Sequence, residues 1–512
     1  MRPGFRQAQA WWHTWAGLIC GWLLFAIFFT GTTAVFREQG QHWLAPELHR
    51  PAAAARLDAR RMVEAAERVL RAGEPRDDFV WFVRLPDAHG AAFSATRARR
   101  AVPGMRPEDR VQTWHLDAAT GEVLAEQPRA SQAMNTLYQF HFSLLMRGKA
   151  LGVPQLGVWI VGAMTVVMLV LLVSGVIVHK KIFTDFFTFR PAKAPARSWL
   201  DAHNVSSVMV LPFALMICYT GLVIFWSIWM PFGMQAVYDK DLTAFAKDMG
   251  QHIEIARQPG EPAPTLPLWS FVEKSQAQVA PGQTLRLVQV ISPGGKQTQV
   301  RVLHKNDSAL WGGSDMQWFN GATGELLLQE VDEGRAADVT QKVMRILHEI
   351  RFAGPVLRWL YFLMSTGCCV MIATGLVLWT VKRREKALKL VKKGELDHRR
   401  MWGWRIAEAL NVGTVAGILT ATAAMFWSNR LISAQLPGRD AWEIRVFFGV
   451  WLLCALWALA RVRWLTVPAA LPSPQPSPRG RGSFFMGELT PRRLWAQQLG
   501  AAAGLYALIP VV

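Results

Sequence analysis

Residues 198–226 read SWLDAHNVSSVMVLPFALMICYTGLVIFW, an apolar stretch of helical length with a histidine, His203, near its entrance. An earlier stretch repeats it. With His203 set over His13, HNVSSVMVLPFALMICYTG (203–221) lies over HTWAGLICGWLLFAIFFTG (13–31) without a gap. Both copies close on Thr-Gly, at Thr220-Gly221 and Thr30-Gly31. Ionisable side chains are costly inside a membrane helix and mark function when they occur there. A histidine at matched depth in two copies is therefore what the function has to explain.

Apolar runs of spanning length recur along the chain. A bilayer core takes roughly 20 apolar residues per helix, and such runs fall at 15–36, 156–179, 205–230, 356–381, 406–427 and 445–464. A shorter run, 494–512, is a candidate seventh. The fold expected is a polytopic α-helical membrane protein of six to seven spans. Arg2 and Arg6 precede the first run. That run lacks a small-residue cleavage site and matches an internal helix, so it reads as a retained anchor rather than a signal peptide.

Charge sets the orientation. The chain carries 56 Lys and Arg against 37 Asp and Glu, a net +19, with a mean hydropathy of +0.16. A strongly basic chain can bind nucleic acid. Here the cations cluster between apolar runs, which points to loops on an anionic membrane face and away from nucleic acid. Lys180, Lys181, Arg190, Lys193 and Arg197 form one group, and KRREKALKLVKKGELDHRR (382–400) a second. Arg461, Arg463, Arg479, Arg481, Arg492 and Arg493 form a third. All lie on one side if the N-terminus is cytoplasmic, which puts the long segments 37–140 and 231–345 outside the membrane. The five cysteines sit within apolar runs with no CxxC or zinc spacing, so neither a structural disulfide nor a zinc site is expected.

Each long segment reads as a small α+β domain. The first has a helical pattern over 58–72, then strands at 79–85, 111–117 and 121–126. The second has a helix near 269–278, then strands at 285–291, 298–303, 316–320 and 324–330. Both finish in a matching hairpin, HLDAATGEVL (115–124) and WFNGATGELL (318–327), with a glycine suited to positive φ. His141 precedes a run ending Ser174-Gly175, and His348 one ending Thr374-Gly375. The chain thus reads as an internal duplication of helix, outer domain, helix. The run 406–427 echoes the opening stretch weakly, with Leu410 where a histidine would stand.

The expected organisation follows. Residues 1–36 are the N-terminus and first span, and 37–140 the first outer domain. Residues 141–230 hold the second span, a cytoplasmic loop and the third span, and 231–345 the second outer domain. The fourth span is 346–381, a basic loop 382–405, and the fifth and sixth spans 406–464. The Pro- and Ser-rich stretch within 465–493 cannot pack a core and reads as a linker before 494–512.

WWHTWAGL (11–18), SGVIVHKKIFTDFFTFRP (174–191), SWLDAHNV (198–205), LPFALMICYTGL (211–222), RFAGPVLRWLYFL (351–363) and ATGLVLWTVKRR (373–384) resemble the PepSY-associated transmembrane family. The resemblance covers about residues 10–465. It implies two periplasmic PepSY-like domains on an inner-membrane helical body. It also implies the chemistry of the members that bind haem b and reduce ferric siderophores. The chain departs from the family pattern at Ala214 and at Leu144 and Leu145, where members often carry further histidines.

Five histidines lie at the edges of apolar runs: His13, His141, His179, His203 and His348. Haem b is held by axial imidazoles on facing helices, and no CxxCH for covalent attachment is present. The repeat pairs His13 with His203 towards the cytoplasm and His141 with His348 on the outer side, for two haems. His179 is a fifth candidate ligand, although its counterpart in the repeat is Trp379. Asp201 and Asn204 flank His203 and are candidates to orient it. The remaining histidines, His304 among them, read as solvated surface residues.

The function expected is a ferric-siderophore (metal-chelate) oxidoreductase in iron uptake. No GxGxxG follows a strand, so electrons would come from a separate quinol or cytosolic reductase. The alternative is a non-catalytic scaffold or regulator of an uptake system. A proton-coupled transporter is disfavoured, since the six main apolar runs read as free of Asp and Glu at depth.

Overall fold

The computed structural model describes residues 4–509, except 50–55, 73–77, 87–91, 101, 103–104, 106–109, 151–152, 180–183, 185, 189, 192–193, 240, 242–243, 245–259, 280, 306–313, 331–335, 351–353, 394–398 and 463–490. The low-complexity stretch lies outside the described residues. The chain divides into two compact units. One comprises Met1–Arg37, Ala130–Leu222 and Pro355–Val512; the other comprises Glu38–Arg129 and Val223–Gly354.

The first unit is helical. It contains α1 (Phe5–Ala34), then, after α2 of the other unit (Ala59–Arg71), α3 (Ala133–Ser143), α4 (Leu156–Val178) and α5 (Pro195–Ile224). The second unit supplies α6 (Leu268–Gln276) and α7 (Ala336–Glu349). The helical unit resumes with α8 (Pro355–Lys392), α9 (Arg399–Leu431), α10 (Arg439–Val462) and α11 (Pro491–Ala507). Among the described residues, six helices are long and apolar enough to cross a membrane: α1, α4, α5, α8, α9 and α10. The outward face of α4 shows why. Val166, Val170, Val173 and Val176 are exposed at helical spacing, an apolar stripe that suits acyl chains.

The candidate seventh span resolves differently. Helix α11 has 17 residues, about 25 Å at 1.5 Å per residue, which falls short of a bilayer core of about 30 Å. It packs along α9 instead. Trp427 Nε1 donates to Leu505 O at 2.9 Å, and Trp495 Nε1 to Glu408 Oε1 at 2.8 Å.

The second unit corrects the expectation of two separate outer domains. Its strands are β1 (Asp78–Arg84), β2 (Ser94–Arg99), β3 (Val111–His115), β4 (Thr284–Ile291), β5 (Gln299–Lys305), β6 (Ser314–Asn320) and β7 (Leu326–Glu330). They form one antiparallel sheet in the order β3-β2-β1-β4-β5-β6-β7. The join is β1 on β4, with Val80 opposite Ile291 and Arg84 opposite Leu287. Neither segment could satisfy its leading strand alone, because an unpaired edge leaves a row of N–H and C=O groups open. Pairing the two leading edges gives one continuous core.

Helices α2 and α6 cover one face of this sheet. Met62, Val63, Ala66 and Leu70 of α2 and Leu268, Phe271 and Val272 of α6 pack with Trp81, Val83, Val288, Val290, Val300 and Val302. Asp58 caps α2 by accepting the Arg61 N–H at 2.8 Å. The buried Glu67 of α2 accepts the Leu268 N–H at the start of α6 at 2.9 Å, which ties the two segments together.

The matched hairpins have matched bonds. Gly121 N–H donates to Asp117 O and Gly324 N–H to Asn320 O, both at 2.8 Å, and both glycines have φ of 75°. Asp117 Oδ1 accepts from Ala119 N–H and Asn320 Oδ1 from Ala322 N–H. The expected strand 121–126 reduces to a single bridge, Leu116 with Val123, whereas its counterpart forms the full β7.

Candidate functional site

Three of the candidate histidines share one local geometry. His13 on α1 bonds through Nδ1 to Ser174 Oγ at 3.0 Å and lies on Gly175 of α4. His203 on α5 bonds through Nδ1 to Met371 O at 2.9 Å and Thr374 Oγ1 at 3.3 Å, and lies on Gly375 of α8. His141 on α3 bonds through Nδ1 to Ile27 O at 2.8 Å and lies on Gly31 of α1. Each receiving helix therefore offers the same element: a hydroxyl residue, then glycine, with a carbonyl one turn earlier.

The glycine is required by space. A Cβ would stand 3.2 Å from His13 Cε1 at Gly175, 3.0 Å from His203 Cε1 at Gly375, and 2.6 Å from His141 Cε1 at Gly31. The hydroxyls are already committed as donors, Ser174 to Leu171 O and Thr374 to Val370 O and Met371 O. They therefore accept from the histidines. Nδ1 carries the proton in all three rings, and Nε2 is left as the lone-pair nitrogen.

His13 and His203 come together. Their ring centroids are 6.4 Å apart with the planes at 65°. His179 is the C-cap of α4 and lies within electrostatic reach of His203. His141 meets α1 fourteen residues beyond His13, about 21 Å along the axis. The boundary expected at residue 140 is therefore revised: α3 belongs to the helical unit, because His141 packs on α1. His348 stands in the last turn of α7, in the sheet unit.

The orienting groups differ from the sequence expectation. Asp201 is fully buried, but Arg190 takes it at 2.8 and 3.0 Å and Arg197 at 3.1 Å. His203 is oriented by α8 instead. Two buried carboxylates stand near the ends of their helices. Glu408 on α9 and Glu443 on α10 are both buried within membrane-length helices. Glu408 accepts from Trp495, and Glu443 pairs with Arg439 at 3.0 Å. Glu408 lies at the start of the run 406–427 and Glu443 just before the run 445–464, so neither stands at depth, and both are held by hydrogen bonds.

In the sheet unit, His304 is 2% exposed, not solvated. Its Nδ1 lies 3.3 Å from Ser275 Oγ, and burial pushes its imidazole below the ordinary value, with the Asp315 carboxylate opposing. All five cysteines are free thiols. Among the described residues no three His, Cys, Asp or Glu side chains converge on one point.

Residues 10–382 match the family described as the PepSY-associated TM region. The chain belongs to the PepSY-associated transmembrane family. A Pseudomonas aeruginosa relative, itself described as uncharacterized, is 23% identical over 343 residues, or 64% of this chain and 80% of the relative. All five histidines singled out above fall within the PepSY-associated region, while α9, α10 and α11 lie beyond it.

Proposed function

We propose that this PepSY-associated protein is an inner-membrane haem b protein that passes electrons across the bilayer to a ferric chelate, in the manner of a ferric-siderophore reductase. The facing pair His13 and His203 carries the reading. Two imidazoles that share one metal ion, each bonded at about 2 Å, can stand with their centroids about 6 Å apart. The observed separation is 6.4 Å. Both rings have the tautomer a ligand needs, and each is steered by a partner on a neighbouring helix. The residues present fit the group.

Haem b, when bound, supplies one-electron redox chemistry. The chain supplies the rest. His13 and His203 would hold the iron at one centre. His141, with the same Nδ1 commitment, would hold it at a second; His179 is the reserve ligand. Ser174, Thr374 and Met371 fix the ring planes. Gly175, Gly375 and Gly31 admit the rings.

The Lys and Arg clusters support a cytoplasmic N-terminus; in this reading the sheet unit is periplasmic and would hold the chelate. The donor is a separate quinol or cytosolic reductase. One electron converts one Fe(III) to Fe(II), which hard oxygen ligands hold far less tightly.

The test is direct. Purified protein, reduced with dithionite and freed of excess reductant, is mixed anaerobically with a ferric siderophore and a ferrous-specific chelator. Haem reoxidation with one Fe(II) trapped per haem is expected. Haem that stays reduced towards every ferric chelate contradicts the reductase reading and favours a scaffold or regulator.

A further inference from the structure

Helices α9 and α10 lie beyond the family match, yet each end of the pair is bonded into a helix that carries or receives a candidate histidine. At one end stands Asn411 of α9, with no exposed surface. Trp22 Nε1 on α1 donates to its Oδ1 at 2.8 Å, and its Nδ2 donates to Leu376 O on α8 at 3.2 Å. Leu376 follows Gly375, on which His203 lies. Its side chain also fills the notch at Gly21 of α1, where a Cβ would stand 2.8 Å away. One amide thus joins the helix bearing His13 to the helix that orients His203.

The other end is a buried ion pair. Arg439 donates to Glu443 Oε1 at 3.0 Å, to Asn429 O at 2.7 Å and to Ala130 O at 2.7 Å. Asn429 Nδ2 donates to Glu443 Oε1 at 2.9 Å, and Ser131 Oγ to Glu443 Oε2 at 2.7 Å. Ala130 and Ser131 lead directly into α3, the helix of His141.

We infer that the α9–α10 pair is a brace that sets both histidine centres, with Asn411 positioning His13 and His203 and with Glu443 positioning His141. Apolar contacts between helices tolerate sliding, whereas a buried polar group left unpaired is costly, so a fully bonded one fixes register. The spectroscopic consequence rests on the haem reading; the mechanical one does not.

Mild variants test it in the full chain. Trp22→Phe and Ser131→Ala each remove one donor, with Asn411→Leu and Glu443→Gln as stronger versions. The readouts are a redox titration resolving two centres, assigned with His203→Ala and His141→Ala, and hydrogen exchange of residues 133–143. Trp22→Phe should shift the potential of the His13 centre alone. Ser131→Ala should shift the His141 centre alone and speed exchange in 133–143 by about tenfold, the loss of one hydrogen bond. Unchanged potentials and exchange overturn the brace, and so does equal disturbance of both centres by either mild variant. Wild-type protein without haem overturns the haem reading instead, and exchange in 133–143 then decides the brace alone.

Discussion

The ring of His203 rests on Gly375 so closely that a Cβ there would stand 3.0 Å from Cε1. His13 on Gly175 and His141 on Gly31 repeat the contact at 3.2 and 2.6 Å. A histidine bonded to its neighbour and lying on that neighbour's glycine is aimed, not merely buried.

The graded clearances predict graded effects. Alanine at a helix interior is favoured over glycine by about 1 kcal/mol, so Gly31→Ala, Gly375→Ala and Gly175→Ala should not lose stability through the backbone. Each should disturb its histidine instead, in the order Gly31, Gly375, Gly175. Haem retained per chain, measured beside the melting temperature, checks this. Full retention in Gly31→Ala would contradict the assigned contact.

The acceptors predict an asymmetry. Loss of a partner on the far nitrogen of a metal-bound histidine typically weakens metal binding about 10–100-fold. Ser174 Oγ stands 3.0 Å from His13 Nδ1, whereas Thr374 Oγ1 is the longer of two contacts to His203 Nδ1, at 3.3 Å against 2.9 Å for Met371 O. Ser174→Ala should therefore raise the midpoint potential and weaken haem retention more than Thr374→Val. A redox titration of the two variants decides it.

The buried pair Arg439–Glu443 predicts non-additivity. Removing one partner strands a buried charge and costs about 3–5 kcal/mol, while removing both costs far less. Arg439→Met should be markedly destabilised, and the double variant Arg439→Met with Glu443→Leu should recover much of the loss. Chemical denaturation in detergent gives the comparison. Additive losses would show that the pair is not coupled.

The sheet unit should weaken in mild acid. Burial lowers the imidazoles of His304, His115 and His42 from 6.5, with His49 adding to the effect at His42. The folded unit keeps these rings neutral, and the unfolded chain binds protons first. Stability is therefore full above about 6.5 and falls as pH drops below it. The denaturant midpoint of the unit's tryptophan fluorescence should be lower at pH 5.5 than at 7.5, and His304→Asn should flatten the difference. An unchanged wild-type midpoint would contradict the buried, neutral His304.

The helices were legible because spanning needs a long apolar run, and the runs at 156–179 and 356–381 lie on α4 and α8 within the family's region. Strand β2, SATRAR, was not, since its small and polar residues carry no apolar alternation. The join of Val80 to Ile291 was invisible for another reason: it links residues some two hundred positions apart, with no local signal. Asp201 misled because flanking residues on a helix point elsewhere. Two positions turn the side chain by about 200°, so the partner of His203 had to come from a facing helix. Ser-Gly and Thr-Gly were legible as repeated endings, but their use as histidine seats needed the packing.

The central claim is that His13 and His203 hold one haem. The most direct measurement is the pyridine haemochrome count and reduced spectrum of purified wild type beside His203→Ala, both expressed with haem supplied. The account predicts a low-spin, bis-imidazole haem b in wild type, near two per chain, and the loss of one in the variant. Wild-type protein that binds no haem, or a variant that keeps its full complement, would contradict it.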